Sequence, residues 1–500
     1  MRFFPATACL ILSLASAGAQ SLVAPLPEAP LPEHPILRIS SILPPVASND
    51  SPVADPSAEG RSREAAPVPS AEDVTVFPHP DNTRYYLGGQ ANSIGQVNPG
   101  FHSPYVGPNS FLPKVEPKVS FVGTFYTAFQ PHRNLRYNTD LIVDAESAGG
   151  RGLSQALGLA GFTNLDVVRN PNLGSAPYLA KGEIHQTIGL TNEMVDSDRT
   201  PLSLATKVPV RRFDFRIGKM GLPDLFDINP VGSDSHLQFT NWTIDNNGAW
   251  DYAADTRGYT VAAVLEYDDR NWSARYGFAA MPTVANGINL DWAFSRAHAQ
   301  NMEFELRKSF LPHRQGATRI LSFVNNAHMG VYKDAINAYL DGSEPTPMIA
   351  AHAKFDTVKY GFGWNNWQEL TENLRIFSRV GWNEGAHESF AYTEDDQTVS
   401  FGGDYATSRW HRPVDKFGVA FVSNAIKKYH QIYLADGGLG FILGDGHLNY
   451  GRENIVEAYY TRHVQSGLFA SLGLSHIDNP GYNRDRGPIW VPGVRLHVDF

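Results

Sequence analysis

Residues 493–500 read GVRLHVDF, and their polarity alternates at every step from residue 494 onward. Apolar and polar side chains fall on opposite parities, with Val494, Leu496, Val498 and Phe500 on one and Arg495, His497 and Asp499 on the other. Because successive side chains of a β-strand point to opposite faces, the pattern predicts a strand with one apolar and one polar face. An edge strand of a soluble sheet would alternate in the same way, so the rest of the chain has to distinguish the two cases.

The same alternation recurs along the chain, between short segments rich in Gly, Asn, Asp and Pro. Examples are VSFVGTFYTAF (residues 119–129), RFDFRIGKM (212–220), WSARYGFAAM (272–281) and NMEFELRKSF (301–310). Helical stretches are few, and no apolar run of membrane-spanning length follows the N-terminal segment. This alternating pattern predicts an all-β fold. The expected architecture is a transmembrane antiparallel up-and-down β-barrel, with its apolar faces toward lipid and its polar faces toward a water-filled interior. Barrel closure also pairs the last strand with an early one, which leaves no exposed edge.

Residues 1–19 have the features of a secretory signal peptide. A charged start (MR) precedes an apolar run through Leu14, and the small residues AGA at positions 17–19 form a cleavage site. The apolar run is too short to act as a membrane anchor. The single cysteine, Cys9, lies within this segment. We therefore expect an exported chain with no disulfide and no cysteine-based metal site.

Residues 20–80 differ in composition from the rest of the chain. Between residues 21 and 80 lie 13 of the chain's 34 prolines and a single glycine. Such a segment buries too little apolar surface to fold, so we predict a flexible or polyproline-like extension, followed by a barrel domain over residues 81–500. The formal net charge of -10 is a moderate acidic excess and argues against nucleic acid as a partner.

Several long blocks resemble one known family. They include GGQANSIGQVNPGFHSPYVGPNSF (residues 88–111), QFTNWTIDNNGAWDYAADTRGYTVAAVLEY (238–267) and the C-terminal block that begins YLADGGLGFILGDGHLNY at residue 433. Together they are similar to the OprB-type carbohydrate-selective porins of Gram-negative outer membranes, from about Tyr85 to Phe500. The resemblance implies a 16-stranded barrel with short periplasmic turns and longer outer loops, some of them folded into the pore. It also implies passive diffusion of mono- or oligosaccharides, and a role for Phe500 in the signal read by the barrel-assembly machinery.

A sugar that enters a narrow pore loses part of its hydration shell and needs replacement hydrogen bonds from fixed polar groups. Arginine and carboxylate side chains can supply them, and Trp or Tyr can contact the apolar face of the ring. The polar parity of the predicted strands gives the lumen candidates Asp214, Arg216, Arg275, Glu303, Glu305, Arg307, Arg375, Arg379 and Arg495. Each could equally be a solvated strand residue without a role in selectivity.

The stretch of residues 238–260 concentrates aromatic and charged residues between predicted strands. Trp242, Trp250, Asp251 and Arg257 lie within it and are further candidates for contact with a sugar. One interpretation is a loop that folds inward and narrows the pore. The other is a hydrogen-bonded loop that packs against the barrel wall.

Three classes of function remain open: a carbohydrate channel, a channel for a divalent cation such as Mn²⁺ or for small solutes in general, and a barrel enzyme or adhesin. The acidic run Glu394-Asp395-Asp396 could attract cations, although the candidate lumen arginines weigh against this. Neither an assembled catalytic set nor a passenger domain is evident, so we expect no enzyme, no cofactor and no bound metal. The expected partners are sugars, outer-membrane lipid and the assembly machinery, with a homotrimer by analogy with other porins.

Overall fold

The computed structural model describes residues 75–134, 136–167, 173–408, 412 and 414–500. Sixteen strands within these residues close into one antiparallel barrel, and two more pair as a separate small hairpin. The strands are β1 (Tyr85–Pro99), β2 (Val115–Arg133), β3 (Tyr137–Gly150), β4 (Tyr178–Gly189), β5 (Met194–Asp196), β6 (Lys207–Pro209), β7 (Arg212–Met220), β8 (Thr260–Asp268), β9 (Trp272–Ala280), β10 (His298–Leu306), β11 (Gly316–Gly330), β12 (Ala353–Glu369), β13 (Leu374–Asn383), β14 (Gln397–Ala406), β15 (Lys416–Ala425), β16 (Glu453–Gln465), β17 (Leu468–Asp478) and β18 (Ile489–Asp499). The predicted all-β barrel fold is confirmed.

Each barrel strand pairs with its neighbours in chain order, and β5 and β6 are set aside between β4 and β7. The strand that contains the C-terminal alternating stretch, β18, pairs with β17 on one side and with β1 on the other. Ile94 of β1 lies opposite Arg495, and Gly95 lies opposite Val494. This seam closes the sheet, so β18 is not an edge.

The two faces of the sheet have opposite chemistry. On β18 the apolar Val494 and Leu496 are 56% and 57% exposed, whereas the polar Arg495 and His497 that alternate with them are buried. The same inversion holds on β10, where Met302 and Phe304 are exposed and Glu303 is buried. An exposed apolar band with a buried polar interior is stable when lipid surrounds the barrel. Among the described residues, no helix is both long and apolar enough to cross a bilayer.

The two rims of the barrel carry different connections. At one, the short-turn rim, β8 joins β9 through residues 269–271 and β16 joins β17 through residues 466–467; the chain also leaves β18 there. At the other, the long-loop rim, the connections contain α1 (Trp242–Asp245), α2 (Tyr332–Leu340) and α3 (Lys428–Ala435), with 3-10 turns at Leu153–Gln155, Leu222–Asp224, Ile349–His352 and Pro480–Tyr482.

One connection at the short-turn rim is long. Residues 190–211 link β4 to β7 and contain the β5–β6 hairpin, which pairs from Met194 and Pro209 to Asp196 and Lys207. The resemblance implied short turns at this rim, so this hairpin is an addition to the expected pattern.

The lumen is largely filled by protein. The main hydrophobic cluster lies inside the barrel and includes Phe162, Phe226, Trp242 and Trp250, all contributed by long connections. Two of these connections, residues 151–167 and residues 221–259, are therefore folded inward. An irregular segment can occupy this position because the wall strands satisfy its backbone polar groups.

Residues 75–80, the end of the predicted extension, pack against the short-turn rim. The Val76 N–H donates to Asp499 O at 2.9 Å, and the His79 ring stacks on Tyr86 with centroids 4.4 Å apart. The predicted signal peptide and residues 20–74 lie outside the described residues.

Candidate functional site

Residues 221–259, hereafter the inward loop, are held in the lumen by arginines of the barrel wall. Arg275 of β9 donates to Leu225 O at 2.6 Å, Arg379 of β13 donates to Ile244 O at 2.6 Å, and Arg495 of β18 donates to Ser235 O at 2.6 Å. Arg319 of β11 donates in the same way to Ile228 O. These guanidinium groups satisfy loop carbonyls that have no partner in a regular ladder.

Carboxylates of the wall receive the loop's N–H groups. The Asp227 N–H donates to Glu303 at 2.7 Å, and Glu457 of β16 accepts from the backbone of Thr240 and Asn241 at 2.8 and 3.0 Å. Four sequence-predicted candidates are thus on the lumen face and anchor the loop: Arg275, Glu303, Arg379 and Arg495.

The stretch that the sequence analysis singled out, residues 238–260, belongs to the inward loop except for Thr260, which begins β8. The Trp242 indole N–H donates to Asn164 O at 2.9 Å, and that of Trp250 donates to Asn301 at 2.9 Å. Both side chains are buried, at 0% and 1% exposure, so neither indole presents a free face in this structure. The structure combines the two interpretations, since the loop folds inward and is also hydrogen-bonded to the barrel wall, with its aromatic side chains used for packing.

The two charged residues of this stretch have different surroundings. Asp251 accepts the N–H of Ala391 at 2.9 Å and lies 3.3 Å from the Lys359 ammonium, so its charge is neutralised in the interior. Arg257 is half-buried near the long-loop rim, with its guanidinium 3.7 Å from the centre of the Tyr178 ring.

Asp214 and Arg375 are each tied to neighbours on the wall. Asp214 accepts from His185 at 2.9 Å and from Thr187 at 2.6 Å. Arg375 pairs with Asp404 of β14, with Nε 2.9 Å from Oδ1. Both lie on the lumen face, where they cross-link adjacent strands.

The remaining candidates meet at a cavity of about 630 Å³, hereafter the vestibule, which lies between the inward loop and the short-turn rim. Arg216, Glu305 and Arg307 line it, on β7, on β10 and immediately after β10. The structure adds lining residues that the sequence analysis did not single out: Asp224, Arg314, Arg319 and Trp367.

The vestibule arginines differ in how completely their guanidinium groups are paired with carboxylates. Arg319 donates to Glu305 at 2.9 Å, and Arg216 donates to Glu183 at 2.9 Å. Arg307 donates to Asp268 at 2.7 Å, yet its side chain remains 33% exposed. Arg314 makes no ion pair with any of the described residues. Arg307 and Arg314 therefore retain donors for a solute.

The sequence analysis missed Trp367 and Arg319 because both lie on strands where polar and apolar residues do not alternate regularly. Trp364 and Trp367 place aromatic residues on both parities of β12, and Arg319 shares its parity on β11 with the buried Leu321 and Phe323. Apolar residues face inward on these strands where the wall packs against the inward loop. Parity alone therefore does not separate the lipid face from the lumen face there.

The acidic run at residues 394–396 is buried and engaged at the long-loop rim. Glu394 accepts the N–H of Leu443 at 2.7 Å, and Asp396 accepts that of Lys427 at 2.7 Å. His430 of α3 lies between them, with Nδ1 3.5 Å from Asp396. Burial opposes ionisation of Asp396, but the contact with His430 lowers its pKa below the usual value. Within the described residues, no group of three or more His, Cys, Asp or Glu side chains is arranged to hold a metal ion.

A closed antiparallel barrel with an exposed apolar band, a polar wall and an inward-folded loop defines a porin. The sequence model of the family described as "Carbohydrate-selective porin, OprB family" matches residues 134–500, and the chain belongs to this family. It is a carbohydrate-selective channel of the Gram-negative outer membrane, with sugars as its solutes.

A solved structure of an OprB protein shares this fold. The high-pH structure of OprB from Pseudomonas putida has a TM-score of 0.63 and 16% identity, over 83% of this chain and 94% of that chain. The low-pH structure of the same protein gives 0.44 and 12%, over 83% and 92%. The outer membrane channel DcaP of Acinetobacter baumannii gives 0.43 and 8%, over 83% and 97%. A search of curated proteins found no match.

Proposed function

We propose that the sugar passes through the vestibule and that Arg307, Arg314 and Trp367 contact it there. The observation that carries the proposal is the set of partly unpaired arginines beside an inward-facing indole, in a cavity large enough for a sugar. Guanidinium N–H groups donate to hydroxyl oxygens, and an indole face covers the C–H side of a pyranose ring.

The arrangement favours a weak, exchangeable site. Arg307 and Arg314 lie at the ends of the β10–β11 turn, and Trp367 belongs to the adjacent β12. Glu305 is paired with Arg319, so an acceptor for sugar hydroxyls is present but not a free anion. A channel needs a site that replaces hydration without retaining the solute.

The test is sugar block of single-channel current in a planar bilayer, with glucose and a disaccharide titrated separately. We expect saturable block in the native protein, weakened about threefold to tenfold by Arg307→Gln and by Arg314→Gln, as for loss of one charge-assisted hydrogen bond. Arg270→Gln is the matched control, because Arg270 lies on the short-turn rim, half-exposed, and pairs with Glu193.

Two results would contradict the proposal. One is sugar block that is unchanged in both arginine variants. The other is a current that is indifferent to sugar but is cation-selective and blocked by Mn²⁺, which would favour the divalent-cation alternative.

For export and assembly, the proposal follows the domain boundaries predicted from the sequence. Residues 1–19 are removed as a signal peptide, residues 20–80 are a Pro-rich segment that precedes the barrel, and the barrel of residues 81–500 sits in outer-membrane lipid, as a homotrimer. Phe500 is part of the assembly signal. In support, the Phe500 N–H donates to Gly89 O at 2.9 Å, which places the C-terminal residue at the β1–β18 seam that closes the barrel.

A further inference from the structure

The β5–β6 hairpin enters the barrel from the short-turn rim. Its tip, residues 197–206, leaves the two short strands and turns back at Thr200 and Ser203, whose backbones bond to each other at 2.8 Å and 3.2 Å. The hairpin tip, as these ten residues are called below, does not project away from the membrane.

A buried leucine fixes the hairpin tip to one side of the wall. Leu204 is fully buried in a cluster with Tyr86 of β1, Tyr126 of β2 and Ile142 of β3. Its N–H donates to the Asp140 carboxylate at 3.2 Å. Burial of a leucine side chain is worth about 1.5–3 kcal/mol, so this contact alone favours the inserted position.

Arginines fix the tip at two further points. Arg199 donates to Leu204 O at 3.1 Å within the tip and to Tyr85 O at 2.7 Å at the start of β1. Arg216 donates to Leu202 O at 3.0 Å from β7. The tip thus contacts the wall at β1–β3 and at β7, across part of the barrel mouth.

Part of the tip also lines the vestibule, and Leu202 in addition packs against the cluster that contains Leu204. Thr200, Leu202 and Ser203 are half-buried there, and Arg307 and Arg314 line the same cavity. The inward loop bounds the vestibule above, through Ile228 and Pro230 among others. A solute in the vestibule therefore contacts the inward loop, which comes from the long-loop rim, and the hairpin tip, which comes from the short-turn rim.

We propose that the hairpin tip forms a second constriction of this channel, distinct from the inward loop, and that Thr200, Leu202 and Ser203 determine which solutes leave toward the periplasm. The narrowing itself follows from where the tip lies and does not depend on the solute. The effect on sugars rests on the proposed function, because it requires sugar to pass through the vestibule.

The test uses thiol chemistry, since Cys9 is the only cysteine of the sequence and a chain refolded from residue 20 carries none. Ser203→Cys is nearly isosteric and faces the vestibule. The matched control is Asp196→Cys, on the same hairpin but with a side chain 90% exposed. Each variant is treated with a bulky methanethiosulfonate, and complete labelling is verified by mass.

We expect labelled Ser203→Cys to lose about half of its single-channel conductance or more, because the added group occupies the path, and labelled Asp196→Cys to keep the native value. Conductance unchanged in fully labelled Ser203→Cys overturns the proposal. A second variant, Arg199→Ala with Leu204→Ser, releases the tip and should raise conductance in the unlabelled channel; an unchanged or lower value in an inserted channel also overturns it.

Sugar protection separates this proposal from the proposed function. If both hold, saturating sugar slows labelling of Ser203→Cys severalfold and leaves Asp196→Cys unaffected. If labelling reduces conductance but sugar gives no protection, the constriction stands and the vestibule is not the sugar site.

Discussion

The Arg379→Met substitution tests the contacts that hold the inward loop in the lumen. The Arg379 guanidinium is fully buried and bonds to Ile244 O at 2.6 Å and to Ser233 at 2.5 Å, and its Nε lies 3.1 Å from the Asp227 carboxylate. Methionine leaves that carboxylate buried without its cation. Breaking a buried ion pair in this way costs about 3–5 kcal/mol.

The expected cost lies at the lower end of that range. Asp227 keeps hydrogen bonds from the Asn247 N–H at 2.9 Å and from the Asn365 amide at 2.8 Å, which continue to solvate its charge. A loss of about 3 kcal/mol corresponds to a loop-opening equilibrium raised about a hundredfold. The barrel strands pair independently of this contact, so their stability should change little.

Native-state hydrogen exchange of the refolded protein, followed by mass spectrometry, measures this opening. Amides of residues 242–256 should exchange about a hundredfold faster in Arg379→Met, with β16–β18 unchanged. Arg375→Met is the control, because Arg375 lies on the same strand and pairs with Asp404 on β14. Adding Asp227→Asn to Arg379→Met should restore part of the protection, since no buried charge is then left unpaired.

A change of less than about tenfold in the loop amides of Arg379→Met would refute the reasoning. It would show that the loop is held by packing around Trp242 and Trp250 and not by the wall arginines. Equal acceleration in Arg375→Met would refute it as well, since the effect would then not be specific to the contact with the loop.

Three further expectations concern other parts of the molecule. Burial lowers the pKa of His430, but its contacts with Asp396 and Glu394 prevail and raise the pKa to about 8. The charged imidazole therefore stabilises the folded state fully below pH 6.5, and this stabilisation is lost as the pH rises through about 8. Exchange in α2 and α3 should accelerate over that interval, and His430→Gln should remove the pH dependence. Trp367→Ala should weaken sugar block about threefold to tenfold, as for loss of an aromatic contact, whereas Trp364→Ala on the opposite parity should not. Phe500→Ala should lower the amount of barrel assembled in cells without impairing refolding in detergent; equal yields in cells would argue against its role as an assembly signal.

For the wall arginines, the sequence predicted the position on the lumen face but not the binding partner. Alternation on β9 and β13 marked Arg275 and Arg379 as polar residues of the lumen face, and the structure places both there. Their partners, Leu225 O and Ile244 O, are backbone atoms of a loop with no periodic pattern. Nothing in the alternation distinguishes an arginine that anchors a loop from one that contacts a solute.

For two of the vestibule residues, the sequence did not predict even the position on the lumen face. Arg314 lies in a turn and Trp367 on a strand with aromatic residues on both parities, so neither stood out in the sequence. They become neighbours of Arg216 and Arg307 because β7 to β12 curve around one side of the barrel. The hairpin tip was missed for a related reason, since residues 190–211 look like an ordinary polar connection.

The sequence by itself determined the barrel and, on most strands, which face meets lipid, because successive side chains of a strand point to opposite faces and the face toward lipid must be apolar. The family followed from the resemblance of the long sequence blocks and not from the alternation. The sequence also predicted a polar lumen, whereas the structure shows a polar wall that is interrupted by apolar residues where the inward connections pack. The tertiary structure alone decided which polar side chains stay available to a solute. That choice depends on which of them are neutralised by the inward loop, by the hairpin tip or by an adjacent strand, and those contacts join residues far apart in the chain.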